Sequence, residues 1–203
     1  MTDIDRKILF WDTELSPIKA WVWSLWPNSI PINHIIEPQR IICFGYRWYG
    51  EKTTKVVDER AGHEEMILKA NELLEQADFL VSWNGQSFDT RHVNREMVQA
   101  EILPSAPHKE IDLMRVAKNR FKFASNKLDH VVQELGLGQK ADTGGFQLWR
   151  DILEGDAETQ TKAWRKMHRY QKQDVDLLVK LYERFKPWIK IPSPVAEGEG
   201  RCR

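Results

Sequence analysis

Cysteine is scarce in this chain: 203 residues carry two, Cys43 inside an apolar run and Cys202 near the C-terminal end. Two thiols without metal-site spacing exclude a disulfide framework and a thiolate metal centre, and they point to a reducing compartment. Cys43 is expected as a small core residue. An excess of one charge is also missing, since Lys+Arg and Asp+Glu both number 30 and the formal net charge is zero. Global charge therefore offers no attraction to a polyanion, and any affinity for nucleic acid has to come from local patches or bound cations. No apolar run approaches the ~20 residues of a spanning helix. The opening MTDIDRK has no apolar signal region. A soluble cytoplasmic protein with no membrane partner is expected. Internal repeats are absent, and the only compositional bias is the Pro-, Gly- and Glu-rich end from Pro192.

What is present is enough for a core. With 41% hydrophobic residues and this length, one domain over residues 1–190 is expected, with residues 191–203 as a loose tail. ILFWDTE from Ile8 to Glu14 reads as a buried strand that ends in acids. Three prolines, Pro27, Pro31 and Pro38, make 18–40 irregular. Ile41–Trp48 and Lys52–Val57 read as a hairpin around YGEK. His63–Ala77 has helical spacing, Phe79–Trp83 is a second buried strand, and Phe88–Ile102 is a helix. Ile111–Leu113 forms a short strand entering a helix that runs to Phe121, Ser125-Asn126 can cap a helix holding Leu128, Val131, Val132 and Leu135, and Gln160–Phe185 closes the domain. Strands mixed with helices in this order predict an α/β or α+β layer fold.

Several carboxylates do not suit such a core. Asp12 and Glu14 alternate with Thr13 and share one face at the end of an apolar strand. Buried like charges repel unless something cationic joins them, although a strand emerging into solvent explains the pair equally well. Asn84-Gly85 turns the chain after the second strand, and Asp89 follows at a helix start, where it could simply cap. Tyr170 and Asp174 are four apart and so share a helix face, a spacing that also arises by chance.

Taken jointly, D-x-E on a first strand, N-x-x-x-F-D after a later strand and Y-x-x-x-D on a last helix resemble the three motifs of the DEDD exonuclease superfamily. The tyrosine resembles the DEDDy branch, which includes proofreading domains of family A and family B DNA polymerases. DLMRVAKNRFKFASNKLDHVVQELGL is similar to the corresponding segment of stand-alone phage and bacterial ribonuclease H-like exonucleases. The resemblance spans roughly residues 7–185. It implies a ribonuclease H-like α/β fold: a central mixed sheet, first three strands antiparallel and later ones parallel to the first, flanked by helices. It further implies 3′→5′ hydrolysis of phosphodiesters with release of nucleoside 5′-monophosphates, using two divalent ions, Mg²⁺ or Mn²⁺.

By that match Asp12, Glu14, Asp89 and Asp174 are the metal ligands, with Asp12 bridging, and Tyr170 orients the attacking water. The branch that uses histidine needs it where Arg169 stands, so His168 is expected at the surface. Asn84, Phe88, Thr13 and Leu15 match positions that hold the terminal nucleotide, with Phe88 equally readable as a core contact. Single-stranded DNA is the favoured substrate, with an RNA-trimming enzyme or a catalytically silent nucleic-acid-binding module as alternatives. A polymerase or other replication partner would act in trans, in the host cytoplasm if the gene is a phage's. Two further clusters invite a strand: Lys162, Arg165, Lys166, Arg169 and Lys172 around Tyr170, and Lys118, Arg120, Lys122 and Lys127 interleaved with Phe121 and Phe123. Both also read as ordinary helix surface or core. Trp21, Trp23 and Trp26 are expected mainly as core or flap packing, with base stacking or a partner contact as the alternative.

Overall fold

The computed structural model describes residues 6–189; the tail expected at 191–203 and Cys202 fall outside them. In chain order the elements are β1 (Ile8–Leu15), β2 (Lys19–Ala20), β3 (Ile35–Glu37), β4 (Ile41–Trp48), β5 (Lys55–Asp58), α1 (His63–Gln76), β6 (Phe79–Ser82), α2 (Asp89–Gln99), β7 (Lys109–Asp112), α3 (Leu113–Arg120), α4 (Leu128–Glu134), α5 (Gln147–Glu154) and α6 (Ala157–Phe185).

Five of the strands form one sheet in the order β5-β4-β1-β6-β7, with β1 at its centre. β1 pairs antiparallel with β4 and parallel with β6, and β7 runs parallel to β6. A central strand is covered on both faces, which is why ILFW is apolar throughout rather than alternating. Ile8 and Phe10 enter a core layer with Val175, Leu178 and Tyr182 of α6, whereas Leu9 and Trp11 enter the opposite layer with Met66, Ala70 and Leu74 of α1. The architecture is the mixed α/β sheet flanked by helices that the resemblance implied.

α6 is the longest element and the one that closes the site. Its buried positions Trp164, Met167, Gln171, Asp174, Val175 and Leu178 recur at three- and four-residue spacing, so one stripe faces the sheet. Asp156 starts it by accepting a hydrogen bond from the Thr159 amide at 2.8 Å. Gly45 sets how close the helix comes. A Cβ there would lie 3.1 Å from Val175 Cγ2 and 3.2 Å from the Gln171 carbonyl oxygen. Gly45 is also the residue paired with Asp12 across β1 and β4.

Some local expectations fail for physical reasons. The segment 18–40 contains the small β2–β3 ribbon, because its three prolines lie outside the paired residues. The hairpin's second strand begins at Lys55 rather than Lys52. α5 has no counterpart in the sequence reading, being one short amphipathic element behind Gly144 and Gly145. α6 begins three residues earlier than Gln160, at Ala157, behind its aspartate cap. The N-cap of α4 is Lys127, without a side-chain cap bond, and Ser125 Oγ instead accepts from the Lys127 amide at 3.3 Å.

Gly45→Ala is expected to destabilise the protein by about 1–3 kcal/mol, because one of the clashing atoms is helix backbone and cannot rotate away. Denaturant unfolding checks this. A midpoint equal to that of the parent would show that α6 shifts freely on the sheet.

Candidate metal centre

β1 leaves the core at its C-terminal end, and its last four residues split by face. Thr13 and Leu15 are buried, while Asp12 and Glu14 stand part-exposed on the other side. Leu15 is locked in place through its carbonyl, which accepts from Trp149 Nε1 at 3.0 Å. α6 supplies Asp174, which is fully buried, and Tyr170 one turn earlier. Carboxylate oxygens of Asp12, Glu14 and Asp174 all lie within 4.8 Å of one another. Gln171, also buried, ties the helix to the strand by donating Nε2–H to the Asp12 carbonyl at 3.0 Å.

Asp89 reaches the same place from the start of α2. Its Oδ1 accepts both the Thr13 amide, at 3.0 Å, and the Thr13 hydroxyl. Thr13 therefore orients Asp89 with the groups that the sequence reading offered to the substrate. The turn before α2 explains the Asn-Gly pair. Asn84 is left-handed at φ 68°, a conformation asparagine tolerates, and a Cβ on Gly85 would collide with Ser82 Oγ. Asp112 stabilises that turn by accepting the Asn84 amide at 2.9 Å while also capping α3. Phe88 is 41% exposed and lies edge-on to His92 with ring centroids 4.7 Å apart, so it is not a core residue. Asn84 and Phe88 thus flank Asp89 along the chain.

Burial raises all four carboxyls, and repulsion from the other site carboxyls adds to it at Asp12 and Glu14. Burial pushes Asp12 well above the ordinary carboxylate range, and Asp89, Asp174 and Glu14 add to it. Glu14 is pushed up to about 8, chiefly by burial and against the pull of Lys140. Burial likewise raises Asp174, which Lys140 partly offsets, and Asp89, which the Thr13 hydrogen bonds partly offset. Tyr170 is raised as well, by burial and then by Glu14 and Asp174, so its phenol keeps its proton.

Lys140 was not found from the sequence. Its Nζ sits 2.7 Å from Asp174 Oδ2 and 5.0 Å from the centre of the Tyr170 ring. Burial opposes its charge, but Asp174 and Asp12 outweigh that and raise its pKa. Its own amide donates to Asp129 Oδ1 at 2.8 Å, which fixes the loop after α4. No periodicity or motif marks a lysine in an irregular loop, so only the folded chain reveals it.

Other expectations sort differently. His168 is part-buried rather than a surface residue, with Nε2 2.7 Å from Asp58 Oδ2 on β5. Arg165, Arg169 and Lys172 are exposed, and Lys162 is paired with Glu158. Phe121 and Phe123 belong to the core through Phe185, with Phe121 4.8 Å from its ring. Trp21, Trp23 and Trp26 are 77%, 96% and 89% exposed, contrary to core packing. Cys43 is buried as expected. Among the described residues no helix is long and apolar enough to cross a membrane.

An all-oxygen donor set of confined like charges fits a hard divalent cation. The shifts give a test. An unfolded glutamate titrates near ~4.3, so between there and about 8 folded Glu14 holds a proton that the unfolded chain has lost. Stability therefore declines as pH rises through that window. In EDTA the melting temperature is expected to fall between about pH 5 and pH 8. Mg²⁺ or Mn²⁺ is expected to raise it more at the higher pH, where fewer protons must be displaced. Equal metal-induced shifts at both pH values would argue against binding at these carboxyls.

Residues 36–186 match the family model described as RNase_H superfamily, a span that begins within β3 and leaves out β1 and its two acids. No curated protein matches the sequence. Among solved structures, the family B DNA polymerase from the hyperthermophilic archaeon Pyrobaculum calidifontis is similar over 90% of this chain, at 13% identity and a TM-score of 0.67. The chain spans 25% of that polymerase's length, and at such identity the likeness speaks for the fold alone. With the match covering most of its length, this chain belongs to the RNase_H superfamily.

Proposed function

We propose that the chain is a divalent-metal-dependent 3′→5′ exonuclease of the DEDDy type that releases nucleoside 5′-monophosphates, preferentially from single-stranded DNA. The observation that carries this reading is the meeting of Asp12, Glu14 and Asp174 within 4.8 Å of one another, with Asp89 held beside them by Thr13. Asp12, Glu14, Asp89 and Asp174 would hold the ions, Asp12 between them. When bound, Mg²⁺ or Mn²⁺ supplies an acidified water and neutralises charge on the phosphate under attack.

The remaining roles follow from side chains in place. Tyr170 keeps its proton, so it orients the water through hydrogen bonding rather than abstracting a proton. Lys140 pairs with Asp174 and stands over the Tyr170 ring. It is thus a fixed cation at the edge of the pocket, where developing negative charge on the phosphate would feel it. Asn84 and Phe88, before Asp89, would take the terminal nucleotide. Phe88 has the exposed ring face that stacking needs. Leu15, packed into the core layer on the opposite face of β1, would meet the nucleotide through its backbone at the strand's end.

The test is a 5′-labelled single strand incubated with Mg²⁺ or Mn²⁺, against EDTA, with matched DNA and RNA. A ladder shortening from the 3′ end only with metal is expected, faster on DNA. Asp12→Asn and Asp174→Asn should reduce it to background while folding is retained. Tyr170→Phe should cost about 10- to 100-fold, the scale of one hydrogen bond in a charged site. Full activity in Asp174→Asn would rule the assignment out. Faster decay of RNA would move the enzyme to the RNA-trimming class, and tight binding without cleavage would make it a silent binding module.

A further inference from the structure

Directly beyond the site strand the chain leaves the body of the protein. The Ser16 amide donates to the Arg40 carbonyl at 2.8 Å, and the Arg40 amide returns the bond to Ser16 Oγ at 3.0 Å. These bonds clamp the neck of a loop over residues 17–39. Inside it β2 and β3 pair, and the Trp21 amide donates to the His34 carbonyl at 3.0 Å. Lys19 ties the ribbon down, 3.5 Å from Glu37 and 3.1 Å from Glu154 on α5. The arm is therefore anchored at its root while Trp21, Trp23 and Trp26 stand 77%, 96% and 89% exposed.

Three uncovered indoles are unfavourable in water at roughly 25 cal/mol per Å² of apolar surface, and they contribute nothing to the core clusters. The charge around them selects the kind of occupant. No acidic residue occurs between Glu14 and Glu37, in a chain where acids and bases are otherwise equal in number. At the root lies a cleft of about 350 Å³ lined by Pro17, Ile18, Phe146 and Arg150, with Lys19 there neutralised by Glu37 and Glu154. Phe146 is 62% exposed and Arg150 is exposed too. Aromatic faces on a stretch that itself carries no carboxylate, with the exposed Arg150 at its root, suit bases strung on a phosphate backbone. From Leu15 to Trp21 the chain can cover at most ~21 Å at ~3.5 Å per residue, a span of a few nucleotides.

We infer that this arm is a stacking platform for single-stranded nucleic acid, on which Trp21, Trp23 and Trp26 hold the bases upstream of the end seated in the acidic pocket. The inference rests on the exonuclease reading for which end lies in the pocket, but the binding itself does not require cleavage. It makes length, rather than sequence, the property of the substrate that the enzyme senses.

The experiment is tryptophan fluorescence of the full chain in EDTA, titrated with (dT)16 and with (dT)4, for the parent and for W21A/W23A/W26A. The parent is expected to be quenched by (dT)16 and to bind it at least about tenfold more tightly than (dT)4. In the triple variant, the quench and the length preference should both vanish with the circular-dichroism melt unchanged, since the three rings are exposed. An unquenched parent overturns the inference, as does a variant that matches it. So does sedimentation showing that the parent self-associates through these rings and the variant does not. Absence of hydrolysis with the quench intact would remove the exonuclease reading and leave the platform; hydrolysis without any quench would remove the platform alone.

Discussion

Like charges confined together repel, and burial makes the repulsion worse because water no longer screens it. At the end of β1 the chain nevertheless brings three carboxyl groups within 4.8 Å and sets a fourth beside them. Two features answer that repulsion: the carboxyls hold protons more tightly, and Lys140 lies against Asp174. Both are substitutes for positive charge. A pocket that strains towards cations in this manner is poised to take divalent ions, and the rest of the architecture is arranged to keep it so.

The supporting contacts are short and specific. Gly45 lets α6 approach β4 closely enough that Asp174 reaches β1, and Gln171 then fastens helix to strand through the Asp12 carbonyl. Thr13 faces away from Asp12 and Glu14 along the strand, yet its amide and hydroxyl orient Asp89. The sharp turn at Asn84-Gly85 delivers Asp89 to that position, and Asp112 on β7 steadies the turn. The four carboxylates thus come from three elements, β1, α2 and α6, with β1 at the centre of the sheet as the common reference. Loss of any one support would disturb the relative positions of carboxylates that are remote in sequence.

The parts legible from sequence were those governed by strong local rules. The apolar run of β1 ending in D-x-E, the Asn-Gly turn and the long periodic stripe of α6 all declare themselves by burial and spacing. A layered fold of strands and helices followed from the same pattern, and the mixed sheet from the family resemblance that those motifs carry. What escaped was decided by tertiary contact. Lys140 lies in a loop whose conformation depends on Asp129, so nothing adjacent in the chain announces it. Thr13 looked like a substrate contact because of where it sits, whereas its donors are engaged by Asp89. The tryptophans looked like core by composition, but hydrophobicity alone does not reveal that a ribbon will carry them outward. His168 seemed peripheral until β5 brought Asp58 to it.

The most direct test is crystallographic: crystals soaked in Mn²⁺, with anomalous difference maps recorded at the manganese edge. The account predicts manganese peaks coordinated by Asp12, Glu14 and Asp174, with the Lys140 ammonium moved away from Asp174. Maps without a peak in this pocket, and Lys140 still paired with Asp174 at saturating manganese, would contradict it.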